Sequence, residues 1–130
     1  MATPNLSPAI RRFIGEHIDS AEQLDILLLL QRDPTKQWTA MDVSQAIYTV
    51  PASATMRLEI LTSAGFLAST GGSDPGYRFD PASDSLRQQV AELAAAYASD
   101  RVGVIKLIFA KPPDPLESFS DAFRFKGKKD

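Results

Sequence analysis

The chain has 130 residues, of which 44% are hydrophobic, so it can bury a core as one domain and is not a disordered tail. It has no cysteine, which excludes disulfides and thiolate metal sites and is typical of a reducing cytoplasm. With 14 Lys and Arg against 16 Asp and Glu, the net charge is −2, which argues against strong non-specific binding to nucleic acid.

Two amphipathic helices are predicted at the start of the chain. Ser7 and Pro8 have the residue types of an N-cap and a first helical position. The second helix begins after Ser20, whose spacing to Gln23 is that of a capping box, and it ends at Asp33, because a residue that precedes proline is disfavoured in a helix. Its run "LDILLLL" leaves little polar face, which predicts a central position in the fold.

Two more helices and a hairpin follow. Thr39 and Asp42 have the spacing of another capping box. In "PASATMRLEILTSAG" the inward stripe is formed by Ala54, Leu58 and Leu61. Gly65 supplies a left-handed turn, Phe66 to Thr70 fits a strand, "GGSDPG" is typical of a turn and "YRF" alternates as a return strand.

The last third of the chain reads as one long helix and a tail. A helical pattern runs over residues 83–111, although Asp100 and Gly103 interrupt it. Its segment "VGVIKLIFA" is apolar nearly all round, so we expect it to be buried in the domain or in a subunit contact. Residues 112–130 form the tail, which includes "SFSDAFRFKGKKD".

Three helices and a two-stranded wing over residues 20–81 give the order of a winged helix. The runs "SAEQLDILLLLQRDPTKQWTAMDVSQAI", "RLEILTSAGFL" and "SFSDAFRFKGKKD" together resemble an uncharacterised family of small bacterial winged helix-turn-helix proteins. The long helix after the wing is similar to the layout of PadR-like and MarR-like regulators. The resemblance implies a mainly α single domain over residues 1–130 with a small β-hairpin, an extra N-terminal helix and a long C-terminal helix. It also implies a cytoplasmic, DNA-binding transcriptional regulator.

The fourth helix would be the recognition helix, whose outer face meets base edges in the major groove. The predicted DNA contacts are Ser53, Thr55, Met56, Arg57 and Ser63 on the helix, with Arg78 of the wing on a flanking phosphate. This surface is poor in cations for such a role. Between residues 51 and 82 there are two basic side chains, Arg57 and Arg78, against three acidic ones, Glu59, Asp74 and Asp80.

The same surface admits a second hypothesis, a regulatory module that binds another protein and not DNA. Met56 and Ile60 would be apolar anchors for that partner, unless they are partly buried under the N-terminal helix or the wing. The C-terminal tail is another candidate for a protein contact. Salt separates the hypotheses, because phosphate contacts weaken steeply as salt rises and apolar contacts barely respond.

A homodimer is also predicted, because the helix after the wing dimerises in the regulators that the chain resembles. The predicted interface comprises Ile10, Phe13, Ile14, Val104, Ile105, Ile108 and Phe109. The alternative is that both segments pack on their own domain.

The sequence does not predict an enzyme, a cofactor or a metal site. The single histidine, His17, lies in an amphipathic helix and fits a packing role, and "STGGSDPG" lacks the Gly-Lys-Ser/Thr ending of a phosphate loop. Trp38 fits a packing aromatic first and a ligand-stacking residue second. The longest apolar run, residues 26–30, is too short to span a bilayer, and no signal peptide is recognised, so no membrane contact is expected.

Overall fold

The computed structural model describes residues 7–110. Within that range the chain folds into six helices and one antiparallel hairpin: α1 (Pro8–His17), α2 (Ala21–Arg32), α3 (Ala40–Ile47), α4 (Pro51–Ser63), β1 (Leu67–Ser69), β2 (Tyr77–Phe79), α5 (Asp84–Ser99) and α6 (Arg101–Ala110). The predicted fold class, mainly α with a small hairpin, is confirmed. The predicted tail, residues 112–130, lies outside the described residues.

The helix starts follow from their capping residues. The Ser7 hydroxyl accepts a hydrogen bond from the backbone N–H of Ile10, with Pro8 in the first turn of α1. Thr39 and Asp42 form both hydrogen bonds of a capping box at the start of α3.

The capping box predicted for α2 is only half formed. Ser20 accepts from the backbone N–H of Gln23, but the Gln23 side chain donates to the carbonyl of His17, 2.7 Å away, and so ties α2 to the end of α1.

Helix α2 is the centre of the core, as its leucine-rich sequence predicts. It packs against α3, α4, α5 and β2. Its fully buried side chains include Leu24, Ile26, Leu27 and Leu30. Removing so much apolar surface from water is the main driving force for docking the other helices around it.

The hairpin is attached to the loop between α2 and α3. Gly65 adopts φ +94° and turns the chain out of α4 into β1, which pairs with β2. Trp38 and Tyr77 then exchange two backbone hydrogen bonds of 2.7 and 2.8 Å as an isolated antiparallel bridge. The buried Trp38 therefore packs in the core and fixes the hairpin beside α2.

The C-terminal region differs from the prediction, because the single long helix over residues 83–111 is two helices. The chain leaves helical geometry at Asp100, with φ −148° and ψ 67°, which ends α5. The Asp100 carboxylate then accepts from the backbone N–H of Gly103 at 3.1 Å and caps α6. A Cβ at Gly103 would lie 2.3 Å from Asp100 Oδ2, so a larger residue there would require the capping carboxylate to shift.

Helix α1 packs against the C-terminal part of the described chain, since it contacts both α5 and α6. Five of the seven residues predicted for a dimer interface are buried in the chain's own core by this packing: Ile10, Phe13, Ile14, Val104 and Ile108. They are not on the protomer surface, because closing the helices on each other covers them. Ile105 is half-buried, whereas Phe109 is 77% exposed. No helix within residues 7–110 is both long and apolar enough to cross a membrane.

Candidate nucleic-acid interface

Helices α3 and α4 with the β1–β2 wing form the candidate interface. The inward stripe of α4 is fully buried at Ala54, Leu58 and Leu61, as predicted. The opposite side of α4 faces solvent. Its exposed side chains are Ala52, Thr55, Met56, Glu59, Ile60 and Ser63, which together are called the outer face of α4 below. Three of the predicted DNA contacts, Thr55, Met56 and Ser63, lie on this outer face.

Ser53 and Arg57 are not part of the outer face. Both side chains contact Glu22 in the first turn of α2: the Ser53 hydroxyl donates to Glu22 Oε1 at 2.7 Å, and Arg57 Nε lies 3.3 Å from the same oxygen. Thr49 donates to the other carboxylate oxygen, Oε2. Gln23 Oε1 also accepts from the Arg57 guanidinium at 3.4 Å. The structure therefore commits two of the predicted DNA contacts to an internal network that joins α2 to α4.

This network stabilises the ionised form of Glu22. The hydrogen bond from Thr49 lowers the pKa of Glu22 most; partial burial raises it, and the contacts with Ser53 and Arg57 lower it further, for a net decrease. The position also favours a carboxylate, because Glu22 lies at the N-terminus of α2, the positive end of the helix dipole. Glu22 was not predicted as a functional residue. Its sequence signal is only that of an acidic first-turn residue.

A second internal contact engages the acidic residue of the outer face. The buried phenol of Tyr77 on β2 donates a hydrogen bond to Glu59 of α4. Burial, followed by the contact with Glu59, raises the pKa of Tyr77 to about 12, so the phenol keeps its proton at neutral pH. The bond fixes the wing to α4 and gives one oxygen of the Glu59 carboxylate an internal partner.

Three cations lie on the wing or next to it, and two of them were not predicted. Arg78 projects from β2 and pairs with Asp80 at 3.2 Å, both being solvent-exposed enough for the pair to be weak. Lys36 Nζ lies 3.9 Å from the ring centroid of Trp38, and the Arg87 guanidinium lies 5.8 Å from that of Phe79. Lys36, Arg78 and Arg87 are called the wing cations below.

Lys36 and Arg87 could not have been grouped from the sequence. They are 51 positions apart, and only the bridge between Trp38 and Tyr77 and the packing of α5 beside β2 bring them to one hairpin. Across residues 7–110, neither has an ion pair with a carboxylate. Cations on aromatic rings keep their charge available to an anionic partner.

Large apolar side chains are exposed mainly on the helix-turn-helix. Of the seven that are exposed within residues 7–110, five lie on or between α3 and α4: Met41, Tyr48, Val50, Met56 and Ile60. Tyr48 is 95% exposed and has φ 60°, a left-handed conformation that costs about 1–2 kcal/mol in a residue with a Cβ. Met56 and Ile60 are therefore surface residues, not residues buried under α1 or the wing.

A separate cavity of about 270 Å³ lies between α2, the end of α3 and α5. Its lining includes Ile47, Ala94 and Tyr97, and the Tyr97 hydroxyl donates to Asp25 at 3.4 Å. In the described part of the chain no three His, Cys, Asp or Glu residues are grouped as metal ligands would be.

No protein-family model matches the chain, and no curated protein matches it in sequence. Solved structures match the fold. The homodimeric winged helix-turn-helix DNA-binding domain of Mb0332 from Mycobacterium bovis is 21% identical, with a TM-score of 0.52 over 70% of this chain and 80% of that one. The adhesin competence repressor AdcR from Streptococcus pyogenes is 17% identical, with a TM-score of 0.51 over 88% and 81%.

A third structure extends the match over most of the chain. MepR, a transcription regulator of the Staphylococcus aureus multidrug efflux pump MepA, is 10% identical, with a TM-score of 0.51 over 92% of this chain and 86% of that one. The fold of this protein is therefore that of a winged helix-turn-helix, as the order of its elements predicted. At these identities the likeness concerns the backbone and not the residues of a site.

Proposed function

We propose that this protein is a cytoplasmic, DNA-binding transcriptional regulator that places α4 in the major groove. The solved structures of similar fold are a DNA-binding domain, a repressor and a transcription regulator, which supports this class of function. The outer face of α4 is solvent-exposed along its length, as insertion into a groove requires.

The observation that carries the proposal is the group of wing cations, which contact the hairpin or belong to it. Phosphate contacts position a protein on DNA and need cations at the edges of the reading surface. Arg57 cannot supply one without leaving Glu22. Arg78 lies on the hairpin, Lys36 and Arg87 lie next to it on the α2–α3 loop and on α5, and all three face solvent in part or whole. Phosphate contact is thereby assigned to the wing, and α4 is left to meet the bases.

The test is a fluorescence-anisotropy titration with the DNA upstream of the protein's own gene and a scrambled duplex, at several salt concentrations. Lys36→Ala with Arg87→Ala should weaken binding to both duplexes and reduce the slope of log Kd against log salt by about one for each phosphate contact removed. The matched control is Arg101→Ala, which should leave this slope unchanged. Arg101 also stacks on an aromatic ring, Tyr97 at 5.3 Å, but it lies on α6. An unchanged slope in the double variant would reject the wing as the phosphate-binding surface.

The protein is further proposed to act as a homodimer, as the Mycobacterium bovis domain does. Helix α6 exposes Val102 and Phe109, whereas Val104 and Ile108 of the same helix are buried in the protomer. Two α6 helices that cover each other's exposed residues would remove these side chains from water. The interface proposed here is narrower than the one that the sequence predicted, since it leaves out the residues of α1 and α6 that are buried in the protomer.

A second candidate function is favoured by one observation, the exposure of five large apolar side chains on α3, α4 and their connection. A protein partner could cover such a surface. Binding would then persist at high salt and would not need the wing cations. The titration described above therefore distinguishes the two functions.

A further inference from the structure

We propose that the outer face of α4 selects DNA by apolar contact with the C5-methyl groups of thymine, so that its target is rich in thymine at the contacted positions. The inference rests on the proposed DNA binding and specifies which base feature α4 reads.

The polar groups that usually read bases are missing from the outer face or already bound. Guanine is read by Arg or Lys and adenine by Asn or Gln. The sequence of α4, "PASATMRLEILTS", has no Lys, Asn or Gln, and its one Arg, Arg57, lies against Glu22 at 3.3 Å. Cytosine could be read by a carboxylate, but Glu59 accepts the Tyr77 hydroxyl. The strong contacts that distinguish G·C pairs are therefore absent from this helix.

What remains on the outer face is mostly methyl and thioether surface. Met56 is 50% exposed, Ile60 is partly exposed, and Thr55 and Ala52 add methyl groups on the same side of α4. In the major groove the thymine methyl is the apolar feature of a base edge, and apolar side chains are its usual partners. The N-terminal turns of a recognition helix lie nearest the bases, and Ala52, Thr55 and Met56 are all in those turns.

The wing cations favour a DNA duplex over a protein as the partner of this apolar face. An apolar surface alone would not distinguish the two. Arg78 lies on the hairpin that Tyr77 ties to α4, Lys36 stacks on Trp38, which is bridged to Tyr77, and Arg87 of α5 stacks on Phe79. A partner that extends from the outer face onto the wing would therefore meet positive charge. A duplex offers the complementary pair, methyl groups in the groove and phosphates along its edges.

The experiment compares an alternating adenine–thymine duplex with the same duplex carrying deoxyuridine in place of thymidine. The substitution removes the C5-methyl groups and leaves base pairing and phosphates in place. We expect the thymine duplex to bind more tightly by about fourfold for each methyl that the helix covers, which is the effect of burying about one CH₂ group. An alternating guanine–cytosine duplex and its 5-methylcytosine form give the reverse test, in which adding the methyl should increase affinity.

Protein variants assign the effect to α4. Met56→Ala should shrink the ratio of the two affinities, because the methyl loses its partner; Met56 is exposed, so the variant should fold. Lys36→Ala should weaken binding to both duplexes by the same factor and leave the ratio unchanged.

The outcomes separate this inference from the function on which it rests. Salt-dependent binding with equal affinity for the thymine and uracil duplexes would overturn thymine selection and leave DNA binding standing. An absence of binding to every duplex at low salt would overturn both. A ratio that persists in Met56→Ala and in Ile60→Ala would show that the methyl is read by another part of the protein, which also overturns the assignment to α4.

Discussion

Arg57 Nε lies 3.3 Å from Glu22 Oε1, so the only cation of α4 pairs with α2, the helix on which α4 packs. The two side chains are 21% and 24% exposed, which makes the pair less screened by solvent than a fully exposed one. Ser53 and Thr49 donate to the same carboxylate. Arg57 thus helps fix the position of α4 on α2. The sequence predicted a DNA contact for this residue, whereas the structure gives it a contact within the fold.

Arg57→Ala and Arg78→Ala should therefore change different properties, namely stability for Arg57→Ala and DNA affinity for Arg78→Ala. Loss of Arg57 removes a charged hydrogen bond from the Glu22 network, and we expect the free energy of unfolding to fall by about 1–2 kcal/mol. Arg78 is paired only with an exposed Asp80, so Arg78→Ala should leave stability within about 0.5 kcal/mol and lower DNA affinity instead. Urea unfolding and anisotropy titrations measure the two effects. An Arg57→Ala protein of wild-type stability would contradict the structural role.

Glu22→Gln should reduce the acid sensitivity of the fold. The pKa of Glu22 is lowered below its ordinary value of 4.5, chiefly by the Thr49 hydrogen bond, so the folded state favours the carboxylate. A lowered pKa contributes stability above pH 4.5, and that contribution is lost as pH falls through the folded-state value. Glutamine cannot take a proton in this range. At neutral pH the variant should be less stable than wild type, and the two stabilities should converge as pH falls below 4.5 and through the folded-state pKa of Glu22.

The measurement is urea unfolding at a series of pH values from 7 down to about 3. Asp42→Asn, which removes a carboxylate outside the Glu22 network, is the control. Parallel stability curves for wild type and Glu22→Gln across this range would show that Glu22 does not contribute through its charge.

Two glycine substitutions should change stability in opposite directions. A Cβ at Gly103 would lie 2.3 Å from the Asp100 carboxylate, so Gly103→Ala must displace the cap of α6 and should cost about 1–3 kcal/mol. Gly15 lies within α1, and a Cβ there would meet nothing within 4 Å, so Gly15→Ala should gain about 0.5–1 kcal/mol. Thermal or urea unfolding of both variants is the test. A neutral Gly103→Ala would mean that Asp100 can move away without loss of the cap.

The dimer proposal predicts different outcomes for adjacent residues of α6. Phe109→Glu places a charge on the 77% exposed side chain and should give folded monomers. Ile108→Glu places a charge in the buried core and should unfold the protomer. Light scattering after size-exclusion chromatography gives the mass, and circular dichroism gives the helix content. If Phe109→Glu keeps the wild-type mass, α6 is not the interface, and if the wild-type protein is itself a monomer, the homodimer proposal fails.

Much of the fold was predictable because its signals are local. Capping residues such as Ser7 and Thr39 set helix starts, Gly65 set the turn into the hairpin, and the apolar spacing in α4 identified its buried stripe. The break between α5 and α6 was harder to predict. In the sequence, Asp100 and Gly103 indicated an interruption of the helical pattern. The start of a new helix depends on the contact between them, in which the Asp100 carboxylate accepts from the Gly103 N–H.

By itself, the sequence determined the winged helix-turn-helix, because helix periodicity, caps and turn residues act over a few positions and need no distant partner. It also established that the reading surface is poor in cations. Only the tertiary structure decided which side chains are available to contact a partner. Electrostatic pairing joins Arg57 to Glu22 across 35 positions, and packing brings α1 against α6. Strand pairing brings Lys36 to the wing, and the packing of α5 brings Arg87 there. These contacts join residues far apart in the chain, and they form only when the helices pack around α2.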